Sequence, residues 1–163
     1  MGAAVQQAHV SLAGVTKVFP ATPERGALHA AGPLDLELRK GEFLAVVGPS
    51  GCGKSTLLEL IAGLTGPTDG TIEFEGRRIS GTIPEGVGVV FQEDACFPWL
   101  NVAANVAFGL KTSKLGSAEC GRRVEAALTL MGLSDFASSY PAQLSGGMRQ
   151  RVCIARTLVG EPR

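Results

Sequence analysis

The chain has 163 residues, enough for one domain with a real core, and 45% of them are hydrophobic. Its 15 basic and 15 acidic side chains balance, so bulk charge gives no argument for nucleic acid, and no apolar run approaches the roughly 20 residues of a membrane span. The N-terminus lacks the charged and apolar regions of a signal peptide, and the cysteines at 52, 96, 120 and 153 form no C-x-x-C pair that would suggest a metal or a redox dithiol.

Val10 and Leu12 alternate with Ser11 and Ala13, which predicts a half-buried strand. Gly14 bends it, and it resumes through Lys17, Val18 and Phe19. Residues 20–33 are turn-rich and read as a loop. Leu34, Leu36 and Leu38 alternate with Asp35, Glu37 and Arg39, the pattern of a strand with one wet face. Phe43–Val47 is an unbroken apolar run, expected to be a parallel strand buried on both faces.

That run leads into Gly48-Pro49-Ser50-Gly51-Cys52-Gly53-Lys54-Ser55-Thr56, which fits G-x-x-x-x-G-K-[ST]. Glycines there let backbone N–H groups approach phosphate oxygens with no Cβ in the way. The helix starting near Lys54 adds unpaired N–H groups and the positive end of its dipole. Lys54 is placed to reach the β- and γ-phosphates and Ser55 to ligate Mg²⁺. A dinucleotide fingerprint does not fit, because the glycines fall at 48, 51 and 53 with a lysine following. The pattern points to a nucleoside triphosphate. Cys52, inside the loop near a helix N-terminus and Lys54, is expected to react with alkylating reagents faster than Cys120 or Cys153.

Leu57, Leu58, Ile61 and Leu64 mark the apolar side of the next helix, which should end by Gly66-Pro67. Thr71–Glu75 and Val87–Phe91 read as strands, the second entirely apolar and running into Gln92-Glu93-Asp94. From about residue 100 the periodicity is purely helical: one helix capped by Asn101 through Leu110, one from Ser117 through Met131, and one from Met148 to about Val159 after the Ser145-Gly146-Gly147 turn.

Leu144-Ser145-Gly146-Gly147-Met148-Arg149-Gln150, about ninety residues after the phosphate loop and with Gln92 between, resembles the nucleotide-binding subunits of ATP-binding cassette (ABC) transporters. Phe91-Gln92-Glu93-Asp94-Ala95 followed by Phe97-Pro98-Trp99-Leu100-Asn101-Val102 looks more narrowly like the nitrate, sulfonate and taurine importers. The resemblance implies an α/β fold: a P-loop NTPase core with an antiparallel β lobe over residues 8–93 and a helical subdomain over 94–159, together one ABC ATP-binding domain. ATP and Mg²⁺ are the implied cofactors. Phe19 corresponds to the adenine-stacking aromatic, and Gln92 to the glutamine that reaches Mg²⁺ and the attacking water. Ser145, Gly146 and Gly147 would face the γ-phosphate bound to a second ATP-binding subunit in a head-to-tail homodimer. The residues alone also permit Ser145 to be an ordinary helix cap.

The implied partner beyond the dimer is a transmembrane permease, met through Gln92 to Leu100, at the cytoplasmic face of the inner membrane. Trp99 is either part of that docking surface or core of the helical subdomain. In the family the signature helix is followed by an apolar strand ending in Asp-Glu and by a switch histidine. The sequence stops at Arg163 before either, and His9 and His29 precede the phosphate loop. The chain is therefore expected to be an N-terminal part whose C-terminal strands are missing: either the ATPase subunit of an importer incompletely represented, or a fragment that at most binds nucleotide. Reading Val87–Phe91 with Glu93 or Asp94 as a Walker B strand is disfavoured by its position before the signature, and a P-loop kinase or DNA-repair ATPase by the signature itself.

Overall fold

The computed structural model describes residues 8–24, 26–93 and 95–163. They fall into two compact units, divided between Glu85 and Gly86. Asp94 lies outside the described residues.

The first unit is built on an antiparallel sheet. β1 (Val10–Phe19) pairs with β2 (Leu28–Leu38) on one side and β3 (Asp69–Phe74) on the other, and β4 (Arg77–Ile79) extends the β3 edge. The period-two pattern is realised as written. Val10, Leu12 and Val15 of β1 are buried with Ile72, Phe74 and Ile79, whereas Asp35 and Glu37 of β2 stand in solvent. The bend expected at Gly14 is a shift of register after Leu12, and the Gly14 N–H donates to Asp35 Oδ1 at 2.7 Å. Gly70 sits opposite, at φ +84, where a Cβ would stand 2.5 Å from the Gly14 carbonyl oxygen. Only glycine lets β3 come this close.

Two expectations fail in this unit. β2 begins at Leu28, six residues earlier than Leu34, within the segment read as a loop. Leu28, His29 and Ala31 pair with Phe19, Val18 and Lys17. Strand pairing has overridden an Ala-Ala-Gly-Pro composition that carries little strand propensity of its own. The other failure is larger. Phe43–Val47 belongs to no ladder, and Phe43 and Val47 are 91% and 90% exposed. An apolar run becomes a buried parallel strand only when neighbouring strands take up its N–H and C=O groups. The described strands of this unit are all committed to the antiparallel sheet. Val87–Phe91, in the second unit, is likewise outside any ladder.

α1 (Lys54–Ile61) follows the phosphate loop. Its buried side is Leu60, flanked by half-buried Leu57 and Ile61, and Leu58 is exposed rather than part of that side.

The second unit is helical. α2 (Val102–Ala107) runs into a 3-10 turn at Phe108–Leu110, α3 is Ser117–Leu130, and α4 is Gly146–Leu158. Their apolar faces meet in one core: Val102, Val106, Leu110, Leu128, Leu133, Leu144, Val152 and Val159 with smaller neighbours. Asn101 caps α2 as its sequence position implies, its side-chain oxygen accepting from Ala104 N–H at 2.8 Å. In the first turn of α3, Glu119 takes hydrogen bonds from Arg123 and Arg122, which hold its carboxyl below the usual carboxylate range.

Asn105 is the one polar side chain buried among the described residues, at 0% exposure. Its Oδ1 accepts from Phe97 N–H at 2.8 Å, and its Nδ2 donates to the carbonyls of Phe97, Leu100 and Asn101 at 3.1, 2.9 and 3.1 Å. One amide therefore holds both ends of the turn that carries Phe97 to Asn101. Asn105→Ala would strand these groups without partners, at about 1–3 kcal/mol for the set after partial rehydration. We expect urea unfolding of helical circular dichroism to register that loss, and Glu125→Ala on the exposed side of α3 to leave the midpoint in place.

Candidate functional site

The site is built where the chain leaves Val47 and enters α1. Gly53 is the N-terminal flanking residue of the helix and holds φ +92. A Cβ on it would stand 2.3 Å from the Ala30 carbonyl oxygen of β2, so glycine is required twice, by conformation and by space. That contact seats the loop on the antiparallel sheet. Gly51, at φ +82, turns the loop ahead of it.

The loop is closed by its own hydrogen bonds. Cys52 N–H reaches the Pro49 carbonyl at 3.4 Å, and Leu57 N–H the Gly53 carbonyl at 2.9 Å. The N–H groups of Lys54, Ser55 and Thr56 find no backbone acceptor among the described residues, and no side chain caps this helix end. First-turn N–H groups of a helix are open by construction, and here they share one end with a cation. Lys54 Nζ donates to the Gly48 and Pro49 carbonyls at 2.9 and 2.7 Å and lies 3.7 Å from Cys52 Sγ. The ammonium is thus folded over the loop, bonded to neutral oxygens that an anion with more negative charge can outcompete. Gly48, Pro49, Ser50, Gly51, Cys52 and Ser55 are exposed, and Gly53, Lys54 and Thr56 half-buried. The arrangement is an open, positively biased anion cradle.

Phe19, also in the first unit, closes β1 and is 37% exposed. Lys17, two residues earlier on the same strand face, places its Nζ 5.1 Å from the centre of the Phe19 ring and donates to the Gly66 carbonyl at 2.7 Å. A flat π-system stacking on Phe19 would use the face that Lys17 leaves open. The i, i+2 spacing of a cation and an aromatic was the available sequence signal for Lys17.

The second unit carries Gln92 and Ser145–Gly147. Gln92 is exposed, in a bend following the unpaired Val87–Phe91 segment. Ser145 caps α4, its Oγ accepting from Met148 N–H at 3.3 Å, so the helix starts at Gly146 rather than Met148. Gln150, the last residue of the signature, donates from Nε2 to the Phe91 carbonyl at 3.4 Å. The signature helix therefore touches the residue immediately before Gln92. Trp99 is 71% exposed and outside the helical core, in contact with Phe97 at a ring separation of 5.6 Å. Asn105, which anchors this turn, was missed in the sequence. The signal was a lone amide among valines and alanines on a helix face otherwise fit for burial.

A glycine-rich loop feeding an open, lysine-bearing helix end, mounted on an antiparallel sheet and joined in sequence to a helical unit, defines a P-loop NTPase of the nucleotide-binding cassette class. Residues 31–163 match the ABC transporter family, and the chain belongs to it. It is 52% identical over 129 residues to a taurine import ATP-binding protein of Pseudomonas aeruginosa, covering 79% of this chain and 49% of that one. It is 51% identical over 140 residues to a spermidine/putrescine import ATP-binding protein of Methylococcus capsulatus, covering 85% of this chain and 36% of the relative. The chain thus spans half or less of the length of these curated relatives. Among solved structures, a dimeric ATP-binding cassette bound to ADP and Pi superposes with a TM-score of 0.80 at 32% identity, covering 94% of this chain and 70% of that one.

Accessibility ranks the thiols. Cys52 is exposed, Cys96 and Cys120 are half-buried, and Cys153 is buried. Alkylation followed by peptide mapping should label Cys52 first, at least tenfold ahead of Cys153, and MgATP should slow the Cys52 reaction alone. Equal Cys52 labelling with and without nucleotide would remove the loop as the binding site.

Proposed function

We propose that this chain is the nucleotide-binding part of the ATP-hydrolysing subunit of an ABC importer for a small solute. The observation that carries the reading is the loop end of α1: three helix N–H groups without a backbone acceptor among the described residues, beside a lysine bonded to the Gly48 and Pro49 carbonyls and to the Cys52 sulfur. These groups fit a triphosphate. Gly48 to Thr56 would cradle its phosphates, Lys54 would turn from the Gly48 and Pro49 carbonyls to the β- and γ-oxygens, and the exposed face of Phe19 would take the adenine. Ser55 and Gln92 are the chain's candidates for Mg²⁺, which supplies charge neutralisation at the phosphates when bound. Gln92 would also hold the attacking water in line.

Ser145, Gly146 and Gly147 are proposed to meet the γ-phosphate of a second subunit in a head-to-tail homodimer. Exposed Trp99, with Pro98, suits the Gln92–Leu100 segment to a transmembrane permease, which would hold the chain peripherally at the cytoplasmic face of the inner membrane. No helix among the described residues is long and apolar enough to cross a membrane. A taurine and a spermidine/putrescine relative match at nearly equal identity, although one solute carries a sulfonate and the others are polycations. This supports a cassette that does not itself read the solute. The taurine-like assignment rests on the Phe91–Val102 stretch.

A second reading, binding without hydrolysis, is favoured by one observation. Both histidines precede the phosphate loop in the chain: His9 Nδ1 lies 3.6 Å from Glu75 Oε1 and its ring packs on Phe74, and His29 is an exposed residue of β2. The unpaired Phe43–Val47 and Val87–Phe91 segments suit a single ABC domain whose parallel sheet is filled in by further strands, and their exposure favours self-association in isolation.

Two experiments separate the readings. Purified residues 1–163 should bind MgATP and lose that binding at least tenfold in Lys54→Ala, yet release phosphate no faster than the Lys54→Ala control. Steady turnover abolished by Lys54→Ala would overturn the binding-only reading for this chain and point to Glu93 or Asp94 as base. In a transporter reconstituted with the chain extended to its relatives' length, Trp99→Ala should reduce solute uptake several-fold while nucleotide affinity stays within twofold. Unchanged uptake at normal expression would remove the docking role.

A further inference from the structure

Cys96 and Cys153 are 57 positions apart in sequence, yet their Sγ atoms lie 3.6 Å from each other. Sequence spacing gave no hint of a dithiol, because the pair is made by packing within the helical unit. Cys153 is on the buried face of α4, and Cys96 is half-buried on the segment between Gln92 and α2. The segment is held to α4 on both sides of Cys96. Arg156 Nη1 donates to the Ala95 carbonyl at 2.8 Å, and its guanidinium lies 4.9 Å from the centre of the Phe97 ring. Cys96 Sγ donates to the Arg149 carbonyl at 3.4 Å, and Arg156 Nη2 approaches Cys153 Sγ at 3.9 Å. Two thiols at van der Waals contact need to close by about 1.5 Å to reach the roughly 2.05 Å of a disulfide, a displacement within the reach of side-chain rotation and a small loop shift.

We propose that Cys96 and Cys153 are a redox-sensitive pair that closes to a disulfide and thereby ties the Gln92–Leu100 segment to the signature helix. A peroxide is the oxidant. The Cys96 sulfur, the more accessible of the two, attacks the peroxide O–O bond, forming a sulfenic acid and releasing water once its thiol proton is counted. The Cys153 sulfur then attacks the sulfenic sulfur, and a second water leaves with the hydroxyl oxygen and the Cys153 proton. The two thiols lose two electrons and two protons, and the peroxide gains both. A thiol reductant reverses the bond by exchange, which suits a transient modification in a reducing compartment. On the functional reading above, the modification would fix the position of Gln92 and of Trp99 relative to α4. The bond itself does not depend on that reading.

Trp99 is the chain's single tryptophan and lies three residues from Cys96. Its fluorescence reports on the segment directly. The purified chain, treated with hydrogen peroxide in the absence of nucleotide, should yield a non-reduced tryptic species joining Val152–Arg156 to the peptide that contains Cys96. That species should come from the monomeric fraction and vanish on reduction. Trp99 emission should change in step and be restored by dithiothreitol, and Cys96→Ser and Cys153→Ser should each abolish both signals. The wild-type digest alone remains decisive if either variant fails to fold. Accumulation of sulfinic acid at Cys96 without the joined peptide, or bridges made instead to Cys52 or Cys120, would overturn the proposal. Failure of nucleotide binding would leave it standing, since no nucleotide enters the experiment.

Discussion

The contact on which the first unit turns is that of Gly53 with the Ala30 carbonyl. A helix end without caps is a poor place to leave a protein, because its N–H groups go unsatisfied and its positive dipole end attracts no partner. Here that end is held against the backbone of β2, at a distance that excludes any side chain larger than hydrogen. Fixing the junction there leaves the first-turn N–H groups of α1 facing outward with Lys54 above them. On the function proposed above, the stability forgone at the helix end is what an incoming anion would recover. It also explains why the antiparallel sheet matters to the site: the β2 backbone at Ala30 is the surface that sets where the loop can turn.

The helical unit has its own anchor, of a different kind. Asn105 buries an amide in a core otherwise made of Val, Leu and Ala, which is costly unless every polar atom is satisfied. It is satisfied by the backbone of the Phe97–Asn101 turn, so a destabilising group is converted into a specific one. The turn beginning at Phe97 cannot drift without breaking several bonds at once. Trp99 is thereby displayed in solvent on a rigid base, although apolar aromatic exposure is unfavourable in itself. Arg156, reaching from α4 to the Ala95 carbonyl and the Phe97 ring, braces the same segment from the side.

The legibility of the sequence follows from where each signal resides. The phosphate loop was readable because its chemistry depends on residue types at fixed local spacing, and glycine, lysine and serine there have few substitutes. The caps at Asn101 and the alternation in β1 were readable for the same reason: each is satisfied by partners within a few residues or by one face of one strand. β2 from Leu28 to Ala31 was not readable, because Ala, Gly and Pro carry no strand preference and the ladder to β1 supplies all of it. The three-residue β4 was missed because it is too short to show a period. Asn105 and the Cys96–Cys153 contact lie further out of reach. Both are defined by what packs across the core from them, and one sequence contains no record of that.

The misplaced expectation at Phe43–Val47 is the most informative of these. Composition alone is correct about what the segment can do: five apolar residues in a row disfavour a wet surface. Hydrophobicity specifies burial but not a partner, and a strand is a relation between two segments rather than a property of one. β1 cannot serve, since both its edges are occupied by β2 and β3, and the run joins neither of the edge strands β2 and β4. An edge-free parallel strand requires its companions to be present before its apolar character can be expressed as structure. The phosphate loop is less demanding, because Gly53 and β2 already hold it at its helical end. The loop is therefore turned and seated at its helical end while the run leading into it is unpaired, so its local geometry does not depend on that run being in a ladder.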